Sequence, residues 1–241
     1  MNKQSNSYTI IYAVGLVLVV GLALSAVYQA LKPTQQDNIA NDTRSQILKA
    51  ALLTPQPGEK ISDLYASHVK EAYIVDYNGN ITDKNPENAF KVTLGMAQEI
   101  KKKENERKLP VFVCETDQGT KYILPVYGQG LWGPIWGYVA FDSNGNTIYG
   151  AYFAHQGETP GLGAEIEKPE FSDQFKGKDV FNHDKFESVQ VVKSGREPSS
   201  GSFVHSISGA TISSSAVGEM LKNSLKPYEK FLERLKNQSA D

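Results

Sequence analysis

The hydrophobic and polar positions are distributed unevenly along this chain. Residues 10–31 form a run of 22 residues without one charged side chain. As a helix rising 1.5 Å per residue, the run would be about 33 Å long, enough to cross a hydrocarbon core of roughly 30 Å. A cleaved signal peptide has a shorter apolar region, of about 7–15 residues. The pattern therefore predicts a retained membrane-spanning helix at 10–31.

The orientation of this span depends on the positive charges at its ends. Lys3 and the amino terminus favour a cytoplasmic position for residues 1–9, although Lys32 nearly balances them. In that orientation, all 209 residues after Lys32 lie outside the cytoplasm. We therefore expect a single-pass membrane protein with an extracytoplasmic body.

The body alternates between helical and strand-like patterns. Its polar start, 33–41, is expected to be a linker. Ahead of residue 110, the patterns predict helices at 42–53, 61–70 and 94–103, and a strand at 72–76 followed by a hairpin turn at 77–80. Beyond that point they predict strands at 111–116, 121–126, 135–141, 147–155 and 186–192.

Five apolar residues near the C-terminus follow helical spacing. They succeed one another at intervals of four, three, four and three, and they are Leu221, Leu225, Tyr228, Leu232 and Leu235. This stripe predicts one amphipathic helix over 213–236. The fold class expected is α+β, an antiparallel sheet of hairpins with flanking helices. We divide the body into a linker and N-terminal α/β part, 32–110, and a core domain, 111–241.

Composition excludes several classes of function. The 241 residues carry a net charge of −2 and are 40% hydrophobic, which is a globular composition without the basic excess of a nucleic-acid-binding protein. Cys114 is the only cysteine. The chain therefore has no internal disulfide and no cysteine-based zinc or iron–sulfur site. If it carries electrons, it must do so on an organic cofactor.

The first candidate site is rich in hydroxyl groups. Residues 206–215 contain six Ser or Thr and immediately precede the predicted last helix. Such residues commonly cap a helix N-terminus, which is the simplest interpretation. Six exceed what a cap needs, however, and Gly209 and Ala210 leave room for a ligand. The free amide groups of the helix end favour an anion such as a phosphate.

The second candidate site follows the strand predicted at 147–155. Residues 157–163 (GETPGLG) combine three glycines with the side chains of Glu158 and Thr159. They form either a structural loop or a place where a ligand approaches the backbone closely. A metal site through His155 and Glu158 is disfavoured, because no further ligands have matching spacing.

Both sites resemble the signatures of one family. Residues 208–211, which are Ser208, Gly209, Ala210 and Thr211, resemble the flavin-attachment motif of the FMN-binding domain family, and residues 158–163 resemble its second signature. The resemblance implies an FMN joined through its phosphate to the Thr211 hydroxyl by a separate flavin transferase. It also implies that Glu158, Thr159, Leu162 and Gly163 lie near the flavin. Trp132 is a further candidate, as a ring that packs on the flavin.

The resemblance extends to the NqrC components of Na⁺-translocating NADH:quinone reductases (Nqr). It implies an electron-carrying subunit of the bacterial inner membrane, inactive alone, that works with the other Nqr subunits during quinone reduction coupled to Na⁺ export. The RnfG component of the Rnf electron-transport complex shares both motifs, but is usually shorter ahead of the hairpin core. The third alternative is a membrane-anchored binding or sensing module without a covalent cofactor. No dinucleotide-binding fingerprint is present, so the chain alone is not expected to oxidise NADH.

Overall fold

The structure, a computed structural model, describes residues 6–239. It begins with α1, Asn6–Ala50, whose most apolar stretch has a mean hydropathy of 2.7 and is entirely exposed. This helix is long and apolar enough to cross a membrane. Its end differs from the sequence expectation, because the predicted linker at 33–41 is helical. Pro33 removes one backbone hydrogen bond, but no glycine or second proline lies between it and the end of the helix at Ala50.

The chain divides after Thr43 into two compact units. The second unit, 44–241, is built on one six-stranded antiparallel sheet with the order β2-β1-β3-β4-β5-β6. This sheet confirms the predicted fold class. Its strands are β1 (Val69–Val75), β2 (Ile81–Asp83), β3 (Leu109–Thr116), β4 (Gly119–Gln129), β5 (Pro134–Asp142) and β6 (Ile148–His155).

Helices cover both faces of the sheet. Besides the end of α1 that belongs to the second unit, 44–50, they are α2 (Ile61–His68), α3 (Pro86–Leu94), α4 (Met96–Glu99), α5 (Pro169–Ser172), α6 (Thr211–Leu225) and α7 (Glu229–Gln238). The predicted helix at 94–103 is confirmed only in part, because α4 covers just Met96–Glu99 and the longer helix of this region, α3, starts earlier, at Pro86. Asn85 caps it by accepting a hydrogen bond from the Glu87 amide. An N-cap residue followed by proline commonly marks the start of a helix, and a search based on apolar spacing alone does not detect it.

Two C-terminal elements also differ from their predictions. The expected strand at 186–192 is split by Ser188, whose φ of 64° is incompatible with a continuous strand. The short strands in this region are β7 (Phe181–Asn182), β8 (Lys185–Phe186), β9 (Gln190–Val192) and β10 (Phe203–His205). The expected helix at 213–236 is divided into α6 and α7 by a 3-10 turn that contains Pro227.

The predicted C-terminal stripe is nevertheless buried against the sheet. All five of its residues are at most 7% exposed, and the Tyr228 hydroxyl donates a hydrogen bond to the Pro110 carbonyl over 2.9 Å. Helix α6 approaches β4 closely at Gly128, where an added Cβ would lie 2.8 Å from the Met220 Cβ. This close approach brings the start of α6 beside the loops that follow β4 and β6.

Candidate cofactor-binding site

Three separate segments meet at one cavity of about 470 Å³. They are the loop between β4 and β5, the loop after β6, and the turn that leads into α6. The residues that line the cavity are Leu131, Trp132, Glu158, Thr159, Leu162, Gly163, Gly209, Ala210, Thr211, Ile212 and Ser213. Eight of the nine residues expected at the site are therefore brought together. The ninth, Ser208, is exposed and does not line the cavity.

A tight turn presents Thr211. The Ala210 amide donates to the Ile207 carbonyl over 3.1 Å, and Gly209 adopts a φ of 77°, which is easiest for glycine. The buried Ser214 hydroxyl holds this turn by accepting from the Ile207 amide at 3.0 Å and donating to the Ala210 carbonyl at 2.8 Å. Thr211 begins α6, and its side chain is exposed. The turn thus holds an accessible hydroxyl at a defined place.

The helix that starts at Thr211 has no side-chain cap. Its N-cap residue is Ala210, which makes no capping hydrogen bond. The capping interpretation of the six hydroxyl residues is therefore wrong. Alanine is a poor N-cap and leaves amide groups of the first turn without a capping side chain. An anion placed there would gain hydrogen bonds from these amides and attraction from the positive end of the helix.

The rim of the cavity is apolar. Four of the seven large apolar side chains that are exposed between residues 44 and 239 surround it, with exposures of 43–68%: Leu131, Trp132, Leu162 and Ile212. Clustered exposed apolar groups commonly mark a binding site rather than chance exposure. Together with the uncapped helix, they can receive a ligand that has a flat apolar part and an anionic end.

Glu158 lies behind this rim and is only 3% exposed. Its Oε1 accepts from the Trp132 amide at 2.9 Å, and its Oε2 accepts from the Ser213 hydroxyl at 2.5 Å. One side chain therefore ties the loop after β4 to the first turn of α6. His155 contacts the main chain of Glu158: its Nδ1 accepts a hydrogen bond from the Glu158 amide at 3.1 Å.

Three lining residues are missing from the sequence-based site. Ile212 and Ser213 stand directly after Thr211, where an apolar residue among hydroxyl residues was the available signal. Leu131 directly precedes Trp132, which was already a candidate. The Ser213–Glu158 contact could not be predicted from the local sequence, because it joins positions 55 residues apart.

The residues present fit an FMN. The cavity has the size of a small-molecule site, and its walls offer apolar contacts for the ring system. The uncapped helix offers a place for the phosphate, and the Thr211 hydroxyl is exposed beside it.

Comparison with known proteins agrees with this geometry. A family model described as "FMN-binding domain" matches residues 130–226, which include Trp132 and both motifs. The NqrC component of the Na(+)-translocating NADH-quinone reductase of Vibrio alginolyticus is 31% identical, covering 90% of this chain and 89% of its own length. That of Pasteurella multocida is 32% identical, covering 98% and 96%. The chain belongs to this NqrC family.

A solved member of the NqrC family has the same fold. The crystal structure of the protein from Parabacteroides distasonis is 45% identical to this chain, with a TM-score of 0.75. The match covers 84% of this chain and 96% of that one. Membership of the NqrC family, together with the long apolar α1, also indicates that the chain is anchored in a membrane. The Rnf alternative is correspondingly less favoured.

Proposed function

We propose that the chain is the membrane-anchored flavoprotein subunit of a Na⁺-translocating NADH:quinone reductase, with FMN joined through its phosphate to Thr211 Oγ1. The observation that carries this proposal is the exposed Thr211 hydroxyl at an uncapped helix start, within an apolar-rimmed cavity of about 470 Å³. Kinship with NqrC proteins supports the same conclusion.

The attachment requires a flavin transferase and FAD as the donor. Thr211 Oγ1 attacks the phosphorus on the FMN side of the FAD pyrophosphate. An oxygen–phosphorus bond forms to Thr211, the pyrophosphate bond breaks, AMP leaves, and the hydroxyl proton passes to a base of the transferase. The resulting phosphodiester keeps one negative charge at the α6 N-terminus, where the helix favours it.

The bound flavin supplies reversible uptake and release of electrons. The chain's own residues would position it: the turn held by Ser214 would fix the attachment point, and the apolar rim would contact the ring system. Other subunits deliver and remove the electrons, because this chain has no dinucleotide fingerprint of its own. A covalent bond retains the cofactor outside the cytoplasm, where a lost FMN could not easily be replaced.

Flavin fluorescence of the denatured full chain tests the attachment. The chain is co-expressed with its flavin transferase, separated under denaturing conditions and illuminated in the gel. The wild type is expected to give a fluorescent band and Thr211→Val none, while Thr211→Ser, which keeps a hydroxyl, retains some fluorescence. An undiminished band from Thr211→Val would refute the proposal.

Purification of the assembled complex tests the role. The other components of a Na⁺-translocating NADH:quinone reductase are expected to co-purify with the chain. A complex that contains Thr211→Val should assemble but lose quinone reduction. Co-purification of Rnf components instead would assign the chain to the alternative complex.

A further inference from the structure

Glu158 is a buried carboxylate without a partner of opposite charge in the part of the chain that the structure describes. None of the ion pairs found between residues 6 and 239 includes it. Its two oxygens accept instead from neutral donors, the Trp132 amide and the Ser213 hydroxyl. A buried charge is normally paired, so a carboxylate held only by neutral donors suggests a functional role.

Two glycines make room for this carboxylate. A Cβ added to Gly130 would lie 2.5 Å from Glu158 Oε1, and one added to Gly163 would collide with Oε2. Neither glycine has a positive φ. Space for neighbouring side chains, rather than backbone conformation, therefore accounts for glycine at both positions: Glu158 and Ile135 at Gly130, and Glu158 and Ser213 at Gly163. Gly130 and Gly163 thus both leave room for the Glu158 carboxylate at the wall of the cavity.

We propose that Glu158 is a positioning residue that sets a fixed negative charge beside the flavin and thereby lowers its reduction potential. This inference rests on the proposed function. Reduction adds negative charge to the flavin ring system, and a nearby carboxylate opposes it. The two hydrogen bonds hold the charge in one place, so its effect does not depend on a mobile side chain.

A purely structural role is the alternative, and two variants separate it from the charge effect. Glu158→Gln keeps the size of the side chain: its amide oxygen accepts from the Trp132 amide, and its NH₂ group donates to the Ser213 hydroxyl. It removes only the charge. Ser213→Ala does the opposite, because it removes one hydrogen bond and keeps the carboxylate.

The test is a redox titration of the flavin-loaded full chain, followed by flavin absorbance. Glu158→Gln is expected to shift the midpoint potential upward, and Ser213→Ala to shift it much less, while both remain loaded in the fluorescence assay. If Glu158→Gln loads poorly, Glu158→Met, which is similar in size and uncharged, is titrated in its place with the same expected upward shift.

A wild-type potential in the charge-removing variant would overturn the inference. So would an equal shift in Ser213→Ala, which would indicate a structural effect. Failure of the proposed function gives a different result: the wild-type chain itself would then carry no covalent flavin. A loaded wild type with unchanged potentials in the variants removes this inference alone.

Discussion

Lys121 and Glu158 are buried to nearly the same extent, at 4% and 3% exposure, but in different surroundings. Lys121 Nζ lies 2.8 Å from Asp142 Oδ1 and 2.7 Å from the Gln118 carbonyl, and stands over the Tyr149 ring. Among residues 6–239, Glu158 has neutral donors only. Lys121 lies near the beginning of β4, and Glu158 accepts a hydrogen bond from the loop that follows the end of β4.

The difference indicates how the fold uses buried charge. At Lys121 the charge is neutralised locally, so its effect is confined to stability. At Glu158 the described part of the chain supplies no counterion, so the charge at the wall of the cavity is available to act on a bound group. The following substitutions test this contrast, from the largest expected effect to the smallest.

Removal of the Lys121 counterion is expected to have the largest effect on stability. Asp142→Ala leaves an unpaired ammonium in a buried position, which should lower the free energy of unfolding by about 3 kcal/mol. This is the lower end of the range for buried pairs, because Asp142 is itself partly exposed and Lys121 keeps the Gln118 carbonyl and the Tyr149 ring. Denaturant unfolding of the full chain in detergent measures it.

The matched control removes both charges. Lys121→Met combined with Asp142→Asn should recover most of the lost stability, because no buried charge then lacks a partner. The flavin potential should stay at the wild-type value in both variants. A shifted potential would contradict the view that Lys121 acts only on stability.

Filling the space beside Glu158 is expected to have the next largest effect on stability. In Gly163→Ala the new methyl group meets Glu158 Oε2 and the Ser213 hydroxyl, so the site must shift at a cost of about 1–3 kcal/mol. The fraction of chains that carry flavin should fall together with the free energy of unfolding. Gly157→Ala is the control, because its Cβ meets nothing within 4 Å. Equal loading in the two variants would show that the carboxylate does not need this space.

Loosening the Thr211 turn should have a smaller effect. Ser214→Ala leaves the Ile207 amide and the Ala210 carbonyl without the hydroxyl that joins them, at a cost of about 1–2 kcal/mol. The rate of flavin attachment should fall, because the acceptor hydroxyl is no longer held in place. Ser215→Ala, at an exposed position on the same helix, should react at the wild-type rate. A normal rate in Ser214→Ala would indicate that the turn needs no such support.

The smallest effect is expected at Cys114, a buried group that carries no charge. Burial raises the pKa of its thiol to about 12, so the thiol stays protonated until the pH approaches that value. Alkylation at pH 8 should therefore be slow in the folded chain and fast after denaturation. Rapid labelling of the folded chain would contradict the burial of this residue.

Local patterns account for much of what could be predicted. The hairpin turns and alternating strands predict the central sheet, and the spacing of Leu221, Leu225 and Tyr228 predicts the buried stripe. The failures at Asn85, Ser188 and Pro227 arise from caps, backbone angles and breaks that an apolar pattern does not register. The Ser213–Glu158 bond and the Lys121–Asp142 pair join distant positions, so only the folded chain reveals them.

Peptide mapping of the flavin-loaded chain tests the central claim most directly. Trypsin should release residues 197–222 as one peptide, because no lysine or arginine lies between Glu197 and Lys222. The account predicts that this peptide gains the mass of one FMN less one water, with fragmentation placing the gain on Thr211. An unmodified peptide, or the same gain on Ser208 or another hydroxyl, would contradict it.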